Sequence, residues 1–256
     1  TLLALSEGRT TTLNDSGPKH LSLRRSTDSG AYWTDIEHFF VDPQGDLSYD
    51  GANLGSAVWD SISDTVFITF CVGAHSEKSH HYMVASGDRG VTWSEPADMD
   101  AVFGAADIAT FAGGPSTGIQ LRSGGPSGGR LILPGHYREV SGGHGATAVY
   151  SDDNGQSWSV GGKIPQEGNV WPDECAVAEL VSDNYLLMNM RNNEQNKRDC
   201  PCRLQSRSSD GGETWSAPAN VPDLIDPVCQ GSLISNILDG NNLYVSNPRE
   251  EKTGRR

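Results

Sequence analysis

The sequence predicts an all-β fold in which short antiparallel sheets are arranged radially, as the blades of a propeller. Three observations support this prediction: one turn motif recurs four times, short strand-like runs lie around each copy, and no convincing amphipathic helix is present. A β-sandwich is the alternative fold, but it does not explain why a tryptophan-ended turn returns about every 60 residues.

The recurring turn has the pattern Ser-x-Asp-x-Gly-x-(Ser/Thr/Tyr)-Trp. Its copies occupy residues 26–33, 86–93, 151–158 and 208–215, so that successive first serines are 60, 65 and 57 residues apart. This spacing suits one four-stranded blade with its connections. The Asp can accept hydrogen bonds from the turn backbone, the Gly supplies a positive φ, and the Trp can reach between sheets. We therefore assign these Asp and Trp residues a structural role and no catalysis.

The runs around the turns have the composition of strands. Residues 65–70, 129–134 and 184–189 are rich in β-branched, aromatic and leucine side chains and are bounded by Gly, Pro, Asp or Asn. Thirty glycines and thirteen prolines in 256 residues fit frequent tight turns. We predict a single domain over residues 1–256. The longest apolar runs fall far short of the roughly 20 residues that a bilayer crossing requires, so we expect no membrane span in this chain.

Composition restricts the classes of ligand. The formal net charge of −14 and the pI near 4.8 argue against nucleic-acid or anionic-membrane binding, because both need a basic surface. A small anion could still bind where arginines gather in one pocket. The five cysteines fit no zinc-ligand spacing, so we expect no metal, and their pairing stays open between reduced thiols and a disulfide.

The repeated turns are Asp boxes, and the chain resembles the sialidase (neuraminidase) superfamily, above all the animal lysosomal sialidase and its relatives. Asp boxes alone are moderately specific, whereas boxes combined with arginine and glutamate segments in order are strongly specific. The resemblance covers nearly the whole chain, and it is carried by residues 2–9, 23–26, 53–55, 115–120, 172–175, 189–191, 200–203 and 246–248. It implies a six-bladed propeller, of which this chain holds about four to five blades and lacks the first and last parts.

The resemblance also implies an activity, exo-α-sialidase hydrolysis with retention of configuration, on glycoproteins, glycolipids or oligosaccharides. Sialic acid carries a carboxylate on its anomeric carbon, and arginine forks can pair with that anion. A carboxylate nucleophile would be repelled by it, which explains why sialidases use a tyrosine. A separate acid must protonate the leaving oxygen. No metal or organic cofactor is implied.

Four residues carry the implied chemistry. Asp15 matches the acid/base aspartate, and Glu174 matches the glutamate that takes the proton from the tyrosine, in preference to Asp173. Arg9 and Arg191 match arginines that hold the substrate. The alternatives are structural: a solvated turn for Asp15 and an ordinary cross-strand pair for Glu174 and Arg191.

Further assignments rest on thinner similarity. Arg255, in preference to Arg256, matches the last arginine of the triad. Glu7 is expected to orient an arginine, and Asp107 to be a pocket carboxylate facing substituted amine or hydroxyl groups. His136 or Tyr137 is expected to border the glycerol side chain. Core or surface roles are equally compatible with these residues.

Two catalytic parts are expected outside this chain. The first triad arginine would precede Thr1, and the nucleophilic tyrosine would follow Arg256, since none of the seven tyrosines present matches its position. A polypeptide with only these residues would leave the ring open and have little or no activity. Two other functions stay open: a trans-sialidase, and a non-catalytic propeller that binds glycans or proteins. The resemblance suggests a lysosomal or secreted location.

Overall fold

A computed structural model describes residues 1–41, 50–76, 79–122, 128–194, 199–236, 238 and 241–250. Strands dominate this part of the chain, and the only helices in it are α1 (Asp100–Gly104) and a 3-10 turn over Val181–Asp183. No helix in these ranges is long and apolar enough to cross a membrane.

The described strands form five antiparallel sheets that follow one another along the chain. The first sheet contains β1 (Leu2–Arg9), β2 (Lys19–Ser26) and β3 (Glu37–Phe40). The second contains β4 (Ala52–Asp60), β5 (Thr65–Val72), β6 (His80–Ser86) and β7 (Ala97–Asp98). The third contains β8 (Ile108–Gly113), β9 (Ile119–Gln120), β10 (Leu131–Glu139), β11 (His144–Ser151), β12 (Ser159–Val160) and β13 (Ile164–Pro165).

The fourth sheet contains β14 (Pro172–Leu180), β15 (Tyr185–Asn192), β16 (Cys202–Ser208) and β17 (Ala219–Ile225). The fifth contains β18 (Ser232–Ser235) and β19 (Leu243–Ser246).

Neighbouring sheets meet through their early strands. β1 packs on β4, β4 on β8 and β10, β10 on β14, and β14 on β18. Apolar clusters fill the spaces between sheets: one joins Phe67 of the second sheet to Leu133 of the third, and another joins Ile132 of the third to Met188 of the fourth. This radial order confirms the predicted all-β propeller architecture. Closure with six blades stays a prediction.

The four Asp boxes have one geometry. In each box the first serine accepts a hydrogen bond from the glycine N–H, at 2.8, 2.7, 2.8 and 2.8 Å in chain order. The Asp accepts the serine hydroxyl and the N–H two residues after the glycine, at 2.8–3.0 Å for the latter. The box glycines have φ values of 93°, 81°, 82° and 91°, which an L side chain rarely adopts. The predicted role of the glycine is therefore confirmed.

The box tryptophans connect adjacent sheets. Trp93 of the second sheet lies 5.2 Å from the ring of Phe39 in the first, and Trp158 of the third lies 5.7 Å from the ring of Phe67 in the second. Both are partly buried against core clusters. Each such box thus fixes its own hairpin and also packs on the preceding blade, as the structural interpretation predicts.

Cys200 and Cys202 form a disulfide, whereas Cys71, Cys175 and Cys229 are free thiols. Burial raises the pKa of the Cys71 thiol to about 12, so this residue is an inert part of the core. Within the described ranges, no group of three or more His, Cys, Asp or Glu side chains is placed to hold a metal ion.

Candidate active site

A cleft of about 500 Å³ lies where the ends of β1 and β8 meet the beginnings of β4 and β14. Its walls carry four carboxylates, two guanidinium groups, two imidazoles and one amide side chain: Glu7, Asp15, Asp173, Glu174, Arg9, Arg191, His75, His136 and Asn53. Residues that are far apart in sequence therefore converge on one hollow. It is referred to below as the cleft.

One wall is formed by the end of β1 and the loop that follows it. Arg9 Nη2 donates to Asp15 Oδ1 over 2.6 Å, and Arg9 Nη1 donates to the Leu13 carbonyl oxygen over 2.5 Å. The Asp15 side chain is 51% exposed and that of Arg9 is 34% exposed. An ion pair this open to solvent contributes only about 0–1 kcal/mol, so it can rearrange when an anion enters.

A buried lysine anchors the Asp15 loop from below. Lys19, which is 1% exposed, donates to the Asp15 carbonyl oxygen over 2.5 Å and to Asn53 Oδ1 over 2.5 Å. Its ammonium group also lies 3.4 Å from Asp50 Oδ1. Burial raises the pKa of Asp50, but hydrogen bonds from His75 and the charge on Lys19 outweigh it and bring that pKa below its ordinary value.

The opposite wall is formed by the hairpin of β14 and β15. Arg191 Nη1 donates to Glu174 Oε2 over 2.7 Å, and Arg191 Nη2 donates to Asn193 Oδ1 over 2.6 Å. The side chains of Arg191 and Glu174 are only 10% and 19% exposed, so their attraction is screened less than that of the Arg9–Asp15 pair. Burial lowers the pKa of Arg191, and the charges of Glu174 and Asp173 raise it above its ordinary value.

A β-bulge explains how two consecutive acids face one cleft. The β14–β15 register pairs Asp173 with Arg191 and then shifts, pairing Cys175 with Met190 and leaving Glu174 without a partner. In a regular strand successive side chains point to opposite faces, so only one of Asp173 and Glu174 would enter the cleft. The extra residue re-aims the strand locally, and both carboxylates line the cleft.

His136 lies on the cleft wall and Tyr137 does not. His136 Nδ1 is 3.4 Å from Asp173 Oδ1, without hydrogen-bond alignment. Tyr137 is 3% exposed and belongs to the apolar cluster between the second and third sheets. Strand alternation on β10 produces this division, so of the two residues expected beside the glycerol group only His136 is placed to serve.

The expected contacts of Glu7 and Asp107 are wrong. Glu7 lines the cleft, but Oε1 accepts the Leu54 N–H at 2.8 Å, and no arginine pairs with it among the described residues. Asp107 precedes β8 and accepts the Ser141 hydroxyl at 3.0 Å. It lies six residues before Gly113, the residue of β8 that reaches the cleft, which corresponds to roughly 20 Å of extended strand. Arg255 lies outside the described residues.

Sequence reasoning missed Lys19, Asp50, Asn53 and His75. One signal was available for Lys19: it shares the alternation of Leu21 and Leu23 on β2, all three being buried, and a lysine on a buried face requires a partner. Asn53 begins one of the segments that carry the family resemblance, but that segment assigns it no role, and Asp50 and His75 have no such signal. Asp50 meets His75 across 25 residues of chain, and Lys19 meets Asn53 across 34.

Comparisons with known proteins agree with this architecture. The sequence profile of the BNR repeat-like domain matches residues 53–256. The chain is 32% identical to Sialidase-4 of Mus musculus over 91% of this chain and 51% of that protein. It is 30% identical to Sialidase of Micromonospora viridifaciens over 91% of this chain and 36% of that protein.

Solved structures share the fold. A Hadza microbial sialidase, Hz136, superposes with a TM-score of 0.78 at 23% identity, over 99% of this chain and 52% of that one. An intramolecular trans-sialidase from Ruminococcus gnavus superposes with a TM-score of 0.79 at 17% identity, over 99% and 75%.

The fold and the cleft define an Asp-box propeller with a cleft lined by ionisable side chains at one end of its strands. By the extent of the profile match, the chain belongs to the BNR repeat-like family, within the sialidase superfamily. The chain spans about half the length, or less, of these two curated relatives.

Proposed function

We propose that the protein is a retaining exo-α-sialidase, a glycoside hydrolase that removes terminal sialic acid from glycans. The observation that carries the proposal is convergence: the Arg9–Asp15 pair and the Arg191–Glu174 pair come from the first and fourth sheets and line one cleft. The relatives named sialidase support the same activity.

Each residue has a defined part in the proposed first step. Arg191, with its high pKa, stays charged and binds the substrate carboxylate together with Arg9. A tyrosine oxygen attacks the anomeric carbon as the glycosidic bond breaks, and Asp15 donates a proton to the departing oxygen. Glu174 accepts the phenolic proton. The hydrogen bond that Arg191 Nη1 donates to Glu174 Oε2 holds this carboxylate in place on the cleft wall.

The second step reverses the proton transfers. Water attacks the anomeric carbon, the bond to the tyrosine oxygen breaks, and Asp15 takes a proton from the water. The proton held by Glu174 returns to the phenolate. The double displacement retains configuration. The nucleophilic tyrosine and the third arginine stay predictions, because Arg255 lies outside the described residues and none of the tyrosines within them lines the cleft.

We further propose that the protein works in the lysosome or outside the cell. The resemblance to the animal lysosomal group suggests this, and a disulfide between Cys200 and Cys202 suits an oxidising compartment. Cell fractionation followed by thiol labelling of the native protein tests the location and the pairing together. A cytosolic protein with five reactive thiols after unfolding would refute it.

Fluorophore release from an aryl α-sialoside by the full-length protein, between pH 4 and 7, tests the activity. We expect turnover by the wild type, loss of turnover in folded Glu174→Ala and Arg191→Ala variants, and a smaller loss in a folded Asp15→Ala variant, because an aryl leaving group depends little on the acid. Variants as fast as the wild type would refute the site assignment. No turnover by the wild type would favour a glycan-binding propeller, and transfer to added lactose in place of water would identify a trans-sialidase.

A further inference from the structure

A histidine with no part in the proposed chemistry lies on the acid/base side of the cleft. His75 lines the cleft, its side chain is 49% exposed, and it follows the end of β5. No other described residue contributes an imidazole to this side, since His136 lies beside Asp173 on the other wall.

The backbone holds this histidine in place before any ligand arrives. Ser76 N–H donates to the Gly73 carbonyl oxygen at 2.9 Å, which closes a turn over residues 73–76. Gly73 N–H donates to the Asp50 carbonyl oxygen at 2.9 Å. The His75 N–H donates to Asp50 Oδ2 at 2.7 Å. Two backbone N–H groups of the turn, those of Gly73 and His75, therefore bind Asp50, which lies just before β4. A group fixed in this way loses little entropy on binding.

Asp50 also determines which ring nitrogen is available. His75 Nδ1 lies 3.1 Å from Asp50 Oδ2, and the low pKa of Asp50 makes that oxygen an acceptor. Nδ1 therefore carries the hydrogen that it donates, and Nε2 remains for a ligand. Neutral Nε2 accepts a hydroxyl hydrogen and protonated Nε2 donates to a hydroxyl oxygen, so this nitrogen can bind a sugar hydroxyl in either state.

The position of His75 in the cleft determines which part of a bound substrate its side chain can contact. His75 N–H donates to one Asp50 carboxylate oxygen, the other oxygen lies 3.4 Å from Lys19 Nζ, and Lys19 Nζ donates to the Asp15 carbonyl oxygen at 2.5 Å. Arg191 instead pairs with Glu174 on the opposite wall. His75 thus stands with the acid/base group and away from the Glu174–Arg191 pair. The acid must reach the glycosidic oxygen, and the leaving glycan continues from that oxygen.

We propose that His75 Nε2 binds a hydroxyl group of the leaving glycan, making His75 a specificity-determining residue of the proposed sialidase. The inference rests on the proposed function. The contact is made in the bound substrate as well as in the transition state, so its loss raises KM and leaves kcat nearly unchanged.

The test compares substrates with and without a glycan leaving group. We expect His75→Ala to lower kcat/KM for sialyllactose about 3- to 10-fold through KM, the loss of one hydrogen bond, and to leave an aryl α-sialoside unaffected. His75→Gln, which retains a polar group there, should recover part of the loss. His80→Ala is the matched control, because His80 pairs with Asp100 at 2.8 Å and is 44% exposed, but lies outside the cleft lining.

Equal losses on both substrates, or no loss on either, would overturn the inference while the sialidase assignment stood. Calorimetry with sialyllactose and free sialic acid separates the remaining outcomes. If the wild type hydrolyses nothing but binds sialyllactose more tightly than sialic acid, and His75→Ala removes that difference, the proposed activity fails and the glycan contact stands. If the wild type hydrolyses neither sialyllactose nor the aryl α-sialoside, and binds sialyllactose no more tightly than free sialic acid, both proposals are refuted.

Discussion

The Asp-box turns and the cleft both depend on carboxylates, but the carboxylates of the two regions accept hydrogen bonds from different kinds of donor. Asp153 in the third box accepts the Ser151 hydroxyl at 2.8 Å, and the N–H and hydroxyl of Ser157 at 2.8 and 2.5 Å. Every partner lies within four residues. Glu174 and Asp15 instead accept from Arg191 and Arg9, whose charges an anionic ligand can also use. A carboxylate satisfied by its own turn builds structure, whereas one paired with an arginine on a cleft wall stands where the proposed chemistry requires it.

Replacing Glu174, the partly buried acid paired with Arg191, should affect the rate most strongly and leave the Asp-box turns unchanged. Glu174→Gln keeps an amide oxygen that can accept from Arg191 Nη1, so we expect the protein to remain folded. Without a base for the phenolic proton, kcat should fall by roughly 10²- to 10⁴-fold. Steady-state kinetics and thermal melting check this. Glu95→Gln, at an exposed position beside the second box, is the matched control, and a similar loss in that variant would contradict the comparison.

The second prediction concerns the exposed cleft acid. Asp15→Asn should reduce kcat for sialyllactose by at least about 100-fold, because an alkoxide leaves poorly without a proton. An aryl sialoside should lose much less, since a phenolate leaves unaided. Asp35→Asn, an exposed exchange outside the cleft lining, should behave as wild type. Equal losses on both substrates would mean that Asp15 acts through the position of Arg9 and not as the acid.

The box residues were predictable from sequence because their contacts are local. Ser208, Asp210, Gly212 and Thr214 form one hydrogen-bonded turn, and a fourfold repeat makes such a pattern visible. The fold follows from that repeat, since each turn marks one blade. Short-range geometry thus leaves a signature in the order of residues.

The cleft was predictable only in part. The pairing of Glu174 and Arg191 follows from a hairpin between them, but the bulge that re-aims Glu174 has no marker in the sequence. The Lys19 support depends on contacts between different sheets, which one sequence cannot position. The expectation for Tyr137 was wrong for another reason. Strand alternation shows that Tyr137 and His136 face opposite sides of the sheet, but it does not show which side borders the cleft.

Removing a box carboxylate should change stability and not rate. Asp210 Oδ1 accepts the Ser208 hydroxyl at 2.7 Å and the Thr214 N–H at 2.9 Å. Asp210→Ala should therefore lower the free energy of unfolding by about 1–2 kcal/mol, as the loss of comparable helix caps does. The kcat per folded molecule should be unchanged. Denaturant unfolding measures the effect, with Asp223→Ala at an exposed position as the control. A fall in kcat would show that the Asp-box turns influence the cleft.

The smallest expected effect is a difference in how the two regions contribute to the pH dependence of folding stability. Hydrogen bonds bring the pKa of Asp88 and of Asp153 to about 2, so these box groups do not titrate between pH 6 and 9. The hydrogen bond to Asp50 raises the pKa of His75 above its ordinary 6.5, although burial opposes it. The folded state therefore holds this proton more tightly than the unfolded state does. The resulting stabilisation is complete below pH 6.5 and is lost as pH rises through the folded pKa.

Comparing the stability of the wild type with that of His75→Gln across pH 6 to 9 isolates this contribution, because all other titrating groups are common to both proteins. The charged groups facing the imidazole are Asp50, Lys19 and Asp15, and both proteins contain all three. We expect the wild type to lose more stability than the variant as pH rises. Parallel curves would show that His75 has the same proton affinity folded and unfolded, and that the Asp50 contact is too weak to orient its ring.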